Sequence, residues 1–177
     1  MSNLLKLSIA SVIVMTCCSN SFAKFTTKGT GDFTQVIVPV YALGTAVNKN
    51  DEEGINQFMI SFLATQASVH GLKCVIDAER PDGKDNKSFP SGHTASAFSG
   101  ATFIHKRYGM EKAVVPYLLA GFTGYSRIHS NKHYFHDVAA AALISSFFTW
   151  MFVDEYSGVQ VSVSPEPSKL GLRVVFR

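Results

Sequence analysis

The sequence predicts an all-α protein, a single bundle of about five core helices followed by a short C-terminal β-hairpin. Apolar residues at helical spacing alternate with polar stretches rich in Gly, Pro, Asn and Asp, which is typical of helices joined by loops. Near the C-terminus the spacing changes to strict alternation, which indicates strands. The length of 177 residues fits one domain.

The elements follow in order along the chain. The predicted helices cover residues 33–47, 55–76, 91–108, 114–125 and 138–153. Residues 24–32, rich in Gly and Thr, are expected to form a leader before the bundle, and residues 77–90 and 126–137 are expected to connect helices. Alternating Val and Leu residues on both sides of Pro165 and Pro167 predict the hairpin. The apolar segments are short, so the sequence leaves open whether they span a membrane.

The first 23 residues have the plan of a secretory signal peptide. Lys6 precedes an apolar run over residues 7–15, and Ser21-Phe22-Ala23 forms a small-x-small cleavage site. The apolar run is shorter than the ~20 residues that a membrane-spanning helix needs. We therefore predict a signal peptide over residues 1–23, a helical domain over 33–155 and a hairpin or tail over 156–177.

Composition and cysteine content limit the partners and the covalent structure. Hydrophobic residues make up 46% of the chain, and the net charge of +3 is not concentrated in any Lys/Arg run. We therefore expect no nucleic-acid partner. Removal of residues 1–23 would leave Cys74 as a single cysteine, which excludes an intramolecular disulfide, and we expect Cys74 to be buried.

Polar residues that could bind a ligand or take part in catalysis form three blocks at helix ends. The first block is Lys73, six further residues and then Arg80-Pro81, at the end of the second helix. Two cations at this place are suited to an anion. They equally fit a structural role, because positive charge offsets the negative end of a helix dipole.

The second block is Pro90-Ser91-Gly92-His93, directly before a helix rich in small residues. Backbone N–H groups at a helix N-terminus favour an anion, and Gly92 allows a ligand to approach the backbone closely. His93 would then stand beside the anion, where it could donate a proton to a leaving oxygen. An ordinary helix cap by Ser91 explains the block equally well.

The third block is Ser126-Arg127, then His133 five residues later, then Asp137 after three more. Residues four apart share a face of a helix, so Asp137 is expected to orient the imidazole of His133 and leave its other ring nitrogen free to attack. The guanidinium of Arg127 is a planar donor that fits phosphate oxygens. The alternative is an acidic first turn of a helix with a nearby surface histidine.

Together the three blocks resemble the signature of the type 2 phosphatidic acid phosphatase superfamily, which includes bacterial acid phosphatases and vanadium haloperoxidases. That signature reads Lys-x6-Arg-Pro, Pro-Ser-Gly-His and Ser-Arg-x5-His-x3-Asp, and residues 73–137 match every position of it. The resemblance implies a bacterial phosphatase with a helix-bundle fold.

The resemblance also implies a role for each matched residue. Phosphate would be held by residues from all three blocks, namely Lys73, Arg80, Ser91, Gly92 and Arg127. His133 would be the nucleophile and form a phosphohistidine, with Asp137 holding it in its attacking tautomer. His93 would protonate the leaving group and later help to activate water. Neither a metal nor another cofactor is implied.

For substrates, the resemblance implies a phosphomonoester or diphosphate, and the apolar helices favour a lipid such as phosphatidate, phosphatidylglycerophosphate or undecaprenyl diphosphate. The alternative is a periplasmic non-specific acid phosphatase acting on small soluble phosphomonoesters. Export would place the chain in the periplasm or at the periplasmic face of the inner membrane, with membrane association left open.

Three other functions are disfavoured. A metallohydrolase could draw ligands from His129, His133, His136 and Asp137, but the nearby cations disfavour a divalent ion. A haloperoxidase of this superfamily is expected to be much larger. A binding protein without catalysis would not need a nucleophile, an acid and an orienting carboxylate together.

Overall fold

The computed structural model describes residues 26–156, 159–163 and 172–176. Its helices are α1 (Thr27–Asn48), α2 (Glu52–Val75), α3 (Gly92–Tyr108), α4 (Met110–His129) and α5 (Phe135–Phe152). Strands β1 (Val159–Val163) and β2 (Leu172–Phe176) pair antiparallel, with Val159 opposite Phe176. The predicted all-α class with five helices is confirmed. The signal peptide predicted over residues 1–23 lies outside the described residues, as does the turn of the hairpin.

Helix α1 begins earlier than predicted, and the expectation that residues 24–32 form a leader is wrong from Thr27 onward. The side chain of Thr26 caps the helix by accepting a hydrogen bond from the Gly29 N–H at 3.1 Å. Gly31 then allows α1 to lie directly against α4, since a Cβ at this position would collide with the Ser126 hydroxyl. Tertiary contact thus stabilises a segment whose two glycines disfavour a helix in isolation.

Helix α3 is the centre of the bundle and packs against the other four helices. Its small residues permit this close packing: a Cβ on Gly100 would lie only 2.7 Å from the backbone nitrogen of Pro39 in α1. At its C-terminal half, Phe103 and Ile104 are fully buried and form a core with Phe58 of α2. The position of α3 fixes where its N-terminus, and with it His93, meets the neighbouring helices.

A buried ion pair joins α2 to the C-terminal end of α3. Asp51 caps α2 through the Gly54 N–H at 2.8 Å, and the same carboxylate accepts hydrogen bonds from Arg107 at 2.6 and 2.8 Å and from the Tyr108 hydroxyl at 2.7 Å. Because α3 has 17 residues, this network lies about 25 Å from the N-terminus of α3. It is therefore part of the framework and separate from the end of the bundle where the sequence blocks meet.

The outer surface of the bundle carries many apolar side chains. Among the described residues, α5 alone is long and apolar enough to cross a membrane, judged by length and composition, and 22% of that helix is buried. Its exposed large apolar side chains are Phe135, Leu143, Phe147, Trp150, Met151 and Phe152. Cys74 is also exposed, in the last turn of α2, so the expectation that it is buried is wrong.

Candidate active site

The three sequence blocks meet at one end of the bundle, around a cavity of about 490 Å³. The ends of α2 and α4 and the starts of α1, α3 and α5 surround this region. The residues that line the cavity are Lys28, Asp32, Gln35, Arg80, Lys84, Asp85, His93, Arg127, Lys132 and His133. Five of them are cationic and two are carboxylates, so the cavity favours an anion.

Arg127 lies in the wall of the cavity between α1 and α4, and only 2% of it is exposed. Its NH1 donates to Oδ1 of Asp32 at 2.7 Å, its NH2 to the carbonyl of Lys28 at 2.7 Å, and its Nε to the Ser126 hydroxyl at 3.0 Å. These bonds hold the guanidinium in one orientation. A fixed guanidinium can present its donors to an anion with little loss of side-chain entropy.

Arg80 and Lys73 approach the site from the loop after α2 and from the last turn of α2. Arg80 lines the cavity, and its Nε donates to Oδ1 of Asp85 at 2.7 Å. Lys73 stands behind the wall, where its Nζ donates to the carbonyls of Lys87 at 2.7 Å and Ser88 at 3.3 Å. Burial and the nearby Arg80 charge lower the pKa of Lys73 to about 8. Its charge is therefore sensitive to mildly alkaline pH.

His93 lies in the first turn of α3 and faces the cavity, as the second block predicts. Its Nε2 lies 3.1 Å from Oδ1 of Asp32. Burial, and next the charge of Arg127, lower the pKa of His93 to about 4, against the opposing effect of Asp32. Before a substrate binds, His93 is therefore neutral at neutral pH.

Ser91 and Gly92 contribute to the start of α3 rather than to the lining of the cavity. The fully buried Ser91 hydroxyl caps the helix by accepting from the Thr94 N–H at 3.4 Å, and it also accepts from the Thr94 hydroxyl at 2.9 Å. The Ser91 N–H donates to the carbonyl of Asp137 at 3.1 Å. A Cβ on Gly92 would meet nothing closer than Val69 at 4.0 Å. The packing of the protein therefore does not itself require glycine at position 92.

His133 and Asp137 form a buried pair, although they do not share a helix face as the spacing predicts. His133 lies in the connection before α5, and Asp137 lies in the first turn of that helix. Oδ2 of Asp137 accepts from the Ser88 hydroxyl at 2.5 Å and from the Tyr134 N–H at 2.8 Å, and it lies 3.5 Å from Nδ1 of His133. The carboxylate is thus held in place by groups other than the histidine.

The electrostatic surroundings keep His133 neutral. Burial lowers its pKa to about 4, and the charges of Arg80 and Lys73 act in the same direction, against the opposing effect of Asp137. Within the described residues, Nδ1 of His133 has no hydrogen-bond partner, and its distance to Asp137 is one that a small ring movement would close. A neutral imidazole with a carboxylate behind it has an unprotonated ring nitrogen available for attack.

Sequence reasoning missed several residues of the site. Three of them line the cavity from α1: Lys28, Asp32 and Gln35. Lys132 directly precedes His133, and the Ser88 hydroxyl donates a hydrogen bond to Asp137. Of these, only Lys132 and Ser88 lie within the span of the three blocks. The remaining three could not be found by spacing, because α1 is separated from the nearest block by α2.

The other histidines near the third block do not converge with it on a common centre. His129 stacks on Tyr125, and His136 stacks on Tyr134 with its Nε2 3.1 Å from Oδ1 of Asp137. In the part of the chain that the structure describes, no three His, Cys, Asp or Glu side chains group as metal ligands would.

Comparison with known proteins identifies the family of the chain. The model of the PAP2 superfamily matches residues 54–157, which is more than half of the chain. The chain belongs to the PAP2 superfamily. The enzyme class inferred from the sequence, a phosphatase, is confirmed. The match begins at Gly54 in α2, so α1 with Lys28 and Asp32 lies outside the matched part of this PAP2 protein.

Three curated relatives are phosphatases by name. The chain is 28% identical to lipid A 4'-phosphatase of Helicobacter pylori over 142 residues, which are 74% of this chain and 72% of that protein. It is 47% identical to lipid A 1-phosphatase of Porphyromonas gingivalis over 68 residues, covering 37% of this chain but 15% of that protein. It is 37% identical to lipid phosphate phosphatase 1 of Arabidopsis thaliana over 75 residues, 34% of this chain and 23% of that protein.

A solved structure has the same fold as this PAP2 protein. The crystal structure of Aquifex aeolicus LpxE superposes with a TM-score of 0.60 at 21% sequence identity and covers 82% of this chain and 92% of that chain. At this identity the likeness concerns the fold. It supports the helical bundle as the common framework of the two proteins.

Proposed function

We propose that this PAP2 phosphatase removes phosphate from a lipid phosphate or diphosphate, without a metal, through a phosphohistidine on His133. One observation carries the proposal. His133 lines a cavity whose wall also holds Arg80 and Arg127, while Asp137 lies behind its Nδ1 at 3.5 Å. The ring nitrogen that remains, Nε2, is then the nucleophile.

The first step transfers the phosphoryl group to the protein. Arg80 and Arg127 bind the phosphate oxygens, Lys73 adds positive charge from behind, and the Gly92 N–H favours the anion from the start of α3, which Ser91 caps. Nε2 of His133 attacks phosphorus, so that a P–N bond forms and the P–O bond to the leaving group breaks. The negative charge of the bound phosphate raises the pKa of His93, which delivers a proton to the leaving oxygen.

The second step releases phosphate. His93, now neutral, accepts a proton from a water molecule, whose oxygen attacks phosphorus while the P–N bond breaks. Asp137 stabilises the proton on Nδ1 of His133 in both steps. The two steps together consume one water and return both histidines to their starting states.

Two observations favour a lipid as the substrate. The relatives named above include phosphatases of lipid A and of lipid phosphates. In addition, an apolar groove of about 290 Å³ lies between α1 and α4, lined by Ile37, Val38, Tyr41, Val115, Pro116 and Leu119. On α1, Val38 of the groove follows Gln35 of the polar cavity by three residues, so the two lie on one face of the helix, about 5 Å apart along its axis. An amphiphile can therefore place its phosphate in the cavity and an acyl chain in the groove.

Membrane association and export belong to the same proposal. The exposed apolar side chains of α5 and of the α1–α4 groove are suited to contact with lipid. The pattern of residues 1–23 favours secretion, which puts the site at the periplasm or at the periplasmic face of the inner membrane. A reporter enzyme that requires the periplasm, fused at the C-terminus, is expected to be active; activity only of a cytoplasmic reporter contradicts export.

Substrate preference is tested by measuring phosphate release from lipid phosphates, lipid diphosphates and soluble monoesters, with the lipids in mixed micelles. We expect kcat/KM for at least one lipid to exceed that for soluble monoesters, and Val115→Gln in the groove to raise KM for the lipid alone. Leu63→Gln, a similarly exposed apolar position on α2 and outside both the groove and α5, is the matched control. A wild type that prefers soluble monoesters, with no effect of Val115→Gln, supports a non-specific acid phosphatase instead.

A further inference from the structure

A carboxylate of this chain occupies the centre of the proposed phosphate site. Oδ1 of Asp32 accepts a hydrogen bond from NH1 of Arg127 at 2.7 Å and lies 3.1 Å from Nε2 of His93. In the proposed function, these two groups contact the substrate: Arg127 binds phosphate and His93 protonates the leaving oxygen. A single oxygen atom of Asp32 therefore holds both groups where an oxygen of the substrate would otherwise lie.

The backbone of α1 fixes the position from which Asp32 reaches the site. Gly31 brings α1 against Ser126, the carbonyl of Lys28 binds Arg127, and the hydroxyls of Thr34 and Thr123 lie 2.7 Å apart in the interior one turn away. The side chain of Asp32 is nevertheless 43% exposed. It can leave the site by rotating toward solvent, with no movement of the helix.

Phosphate and Asp32 compete for the same donors. Nε2 of His93 carries at most one hydrogen, so it cannot donate to Asp32 and to the leaving oxygen of a substrate at once. NH1 of Arg127 has a second hydrogen, but a phosphate oxygen bound there would lie close to the Asp32 carboxylate, and two negative groups in contact repel each other. Binding of a phosphate with its leaving oxygen at His93 therefore requires Asp32 to move away from Nε2.

We propose that Asp32 is an internal substitute for phosphate: it holds Arg127 and His93 before the substrate binds, is displaced by the substrate, and returns to assist release of the phosphate product. This inference rests on the proposed function. It concerns a helix outside the matched superfamily region, residues 54–157. Asp32 acts through Arg127 and His93, so it is a positioning residue that sets affinity for phosphate.

The test is the affinity of the full chain for inorganic phosphate, measured by calorimetry, together with kcat and KM for a phosphomonoester. Asp32→Asn keeps the shape and removes the charge. We expect the Kd for phosphate to fall about tenfold, since an anion at hydrogen-bond distance is removed from a partly exposed site. KM is expected to fall in parallel, and kcat to fall as product release slows. Asp32→Glu is expected to restore affinity toward the wild-type value.

Asp85→Asn is the matched control, because Asp85 also lines the cavity, binds an arginine and is similarly exposed at 47%. We expect it to change the Kd for phosphate less than Asp32→Asn does, as it does not contact His93. An unchanged or weaker affinity in Asp32→Asn overturns the inference, as does an equal gain in both variants. If phosphate binds neither to the wild type nor to any variant, the proposed function itself is wrong.

Discussion

The fall of kcat/KM at alkaline pH is expected to depend on Lys73. Burial and Arg80 lower the pKa of Lys73 to about 8, so about nine in ten molecules carry the charge at pH 7 and about one in ten at pH 9. If phosphate binding needs this charge, the loss reduces kcat/KM by about tenfold over that range, equivalent to about 1.4 kcal/mol of binding. Lys73→Arg keeps the charge at both pH values because arginine stays protonated.

The assay is kcat/KM for one phosphomonoester from pH 6 to pH 9.5, expressed as the ratio of wild type to Lys73→Arg. The ratio cancels the ionisation of the substrate and of groups shared by both enzymes. We expect it to fall about tenfold between pH 7 and pH 9. Lys87→Arg, an exposed lysine on the adjacent loop, is the control and should give a constant ratio. A constant ratio for Lys73→Arg as well would refute the role given to Lys73.

Three further predictions concern the orienting carboxylate, the framework and metal dependence. Asp137→Asn should lower kcat by about two to four orders of magnitude, and Ser88→Ala, which removes one hydrogen bond to Asp137, by about tenfold, with circular dichroism unchanged; equal effects of both variants would contradict the geometry. Arg107→Leu should lower the free energy of unfolding in urea by about 3–5 kcal/mol because Asp51 stays buried without its partner, and a loss below 1 kcal/mol would argue against that pair. Excess EDTA should leave the rate unchanged, and complete loss would favour a metal centre.

Much of the site could be predicted because its residues are adjacent in sequence to helix ends. The spacing of Arg80, His93, Arg127 and His133 places them at consecutive ends of an alternating bundle, and all four line the cavity. The spacing of His133 and Asp137 correctly predicts that the two residues lie close together, but they do not share a helix face as expected. The two are joined by a turn before α5, and Ser88 and the Tyr134 N–H hold the carboxylate.

The contribution of α1 could not be predicted from local patterns. Gly29 and Gly31 lower helix propensity, so the segment around Asp32 has the composition of a loop. What makes it helical is the cap at Thr26 and the contact of Gly31 with α4, which joins positions 95 residues apart. Contacts at such separation leave no periodic signal in a single sequence.

The exposure of Cys74 has a similar cause. The buried residues of α2 recur every three or four positions up to Val69, and this face continues to the half-buried Leu72 and Lys73, so Cys74 lies on the outward side of the last turn. The first residues of α1 and α2 differ from the predicted ones because the capping residues Thr26 and Asp51 decide where these helices begin. Apolar periodicity locates the middle of a helix better than its ends.

The central claim, covalent transfer of phosphate to His133, is tested most directly by trapping the intermediate. The enzyme is mixed with saturating substrate, quenched in alkali and analysed by mass spectrometry of the intact protein and of its peptides. We predict one phosphoryl group on His133, stable in alkali and released by acid, and absent from a folded, inactive His133→Ala variant. A phosphoryl group on another residue, or turnover by His133→Ala at the wild-type rate, would contradict the mechanism.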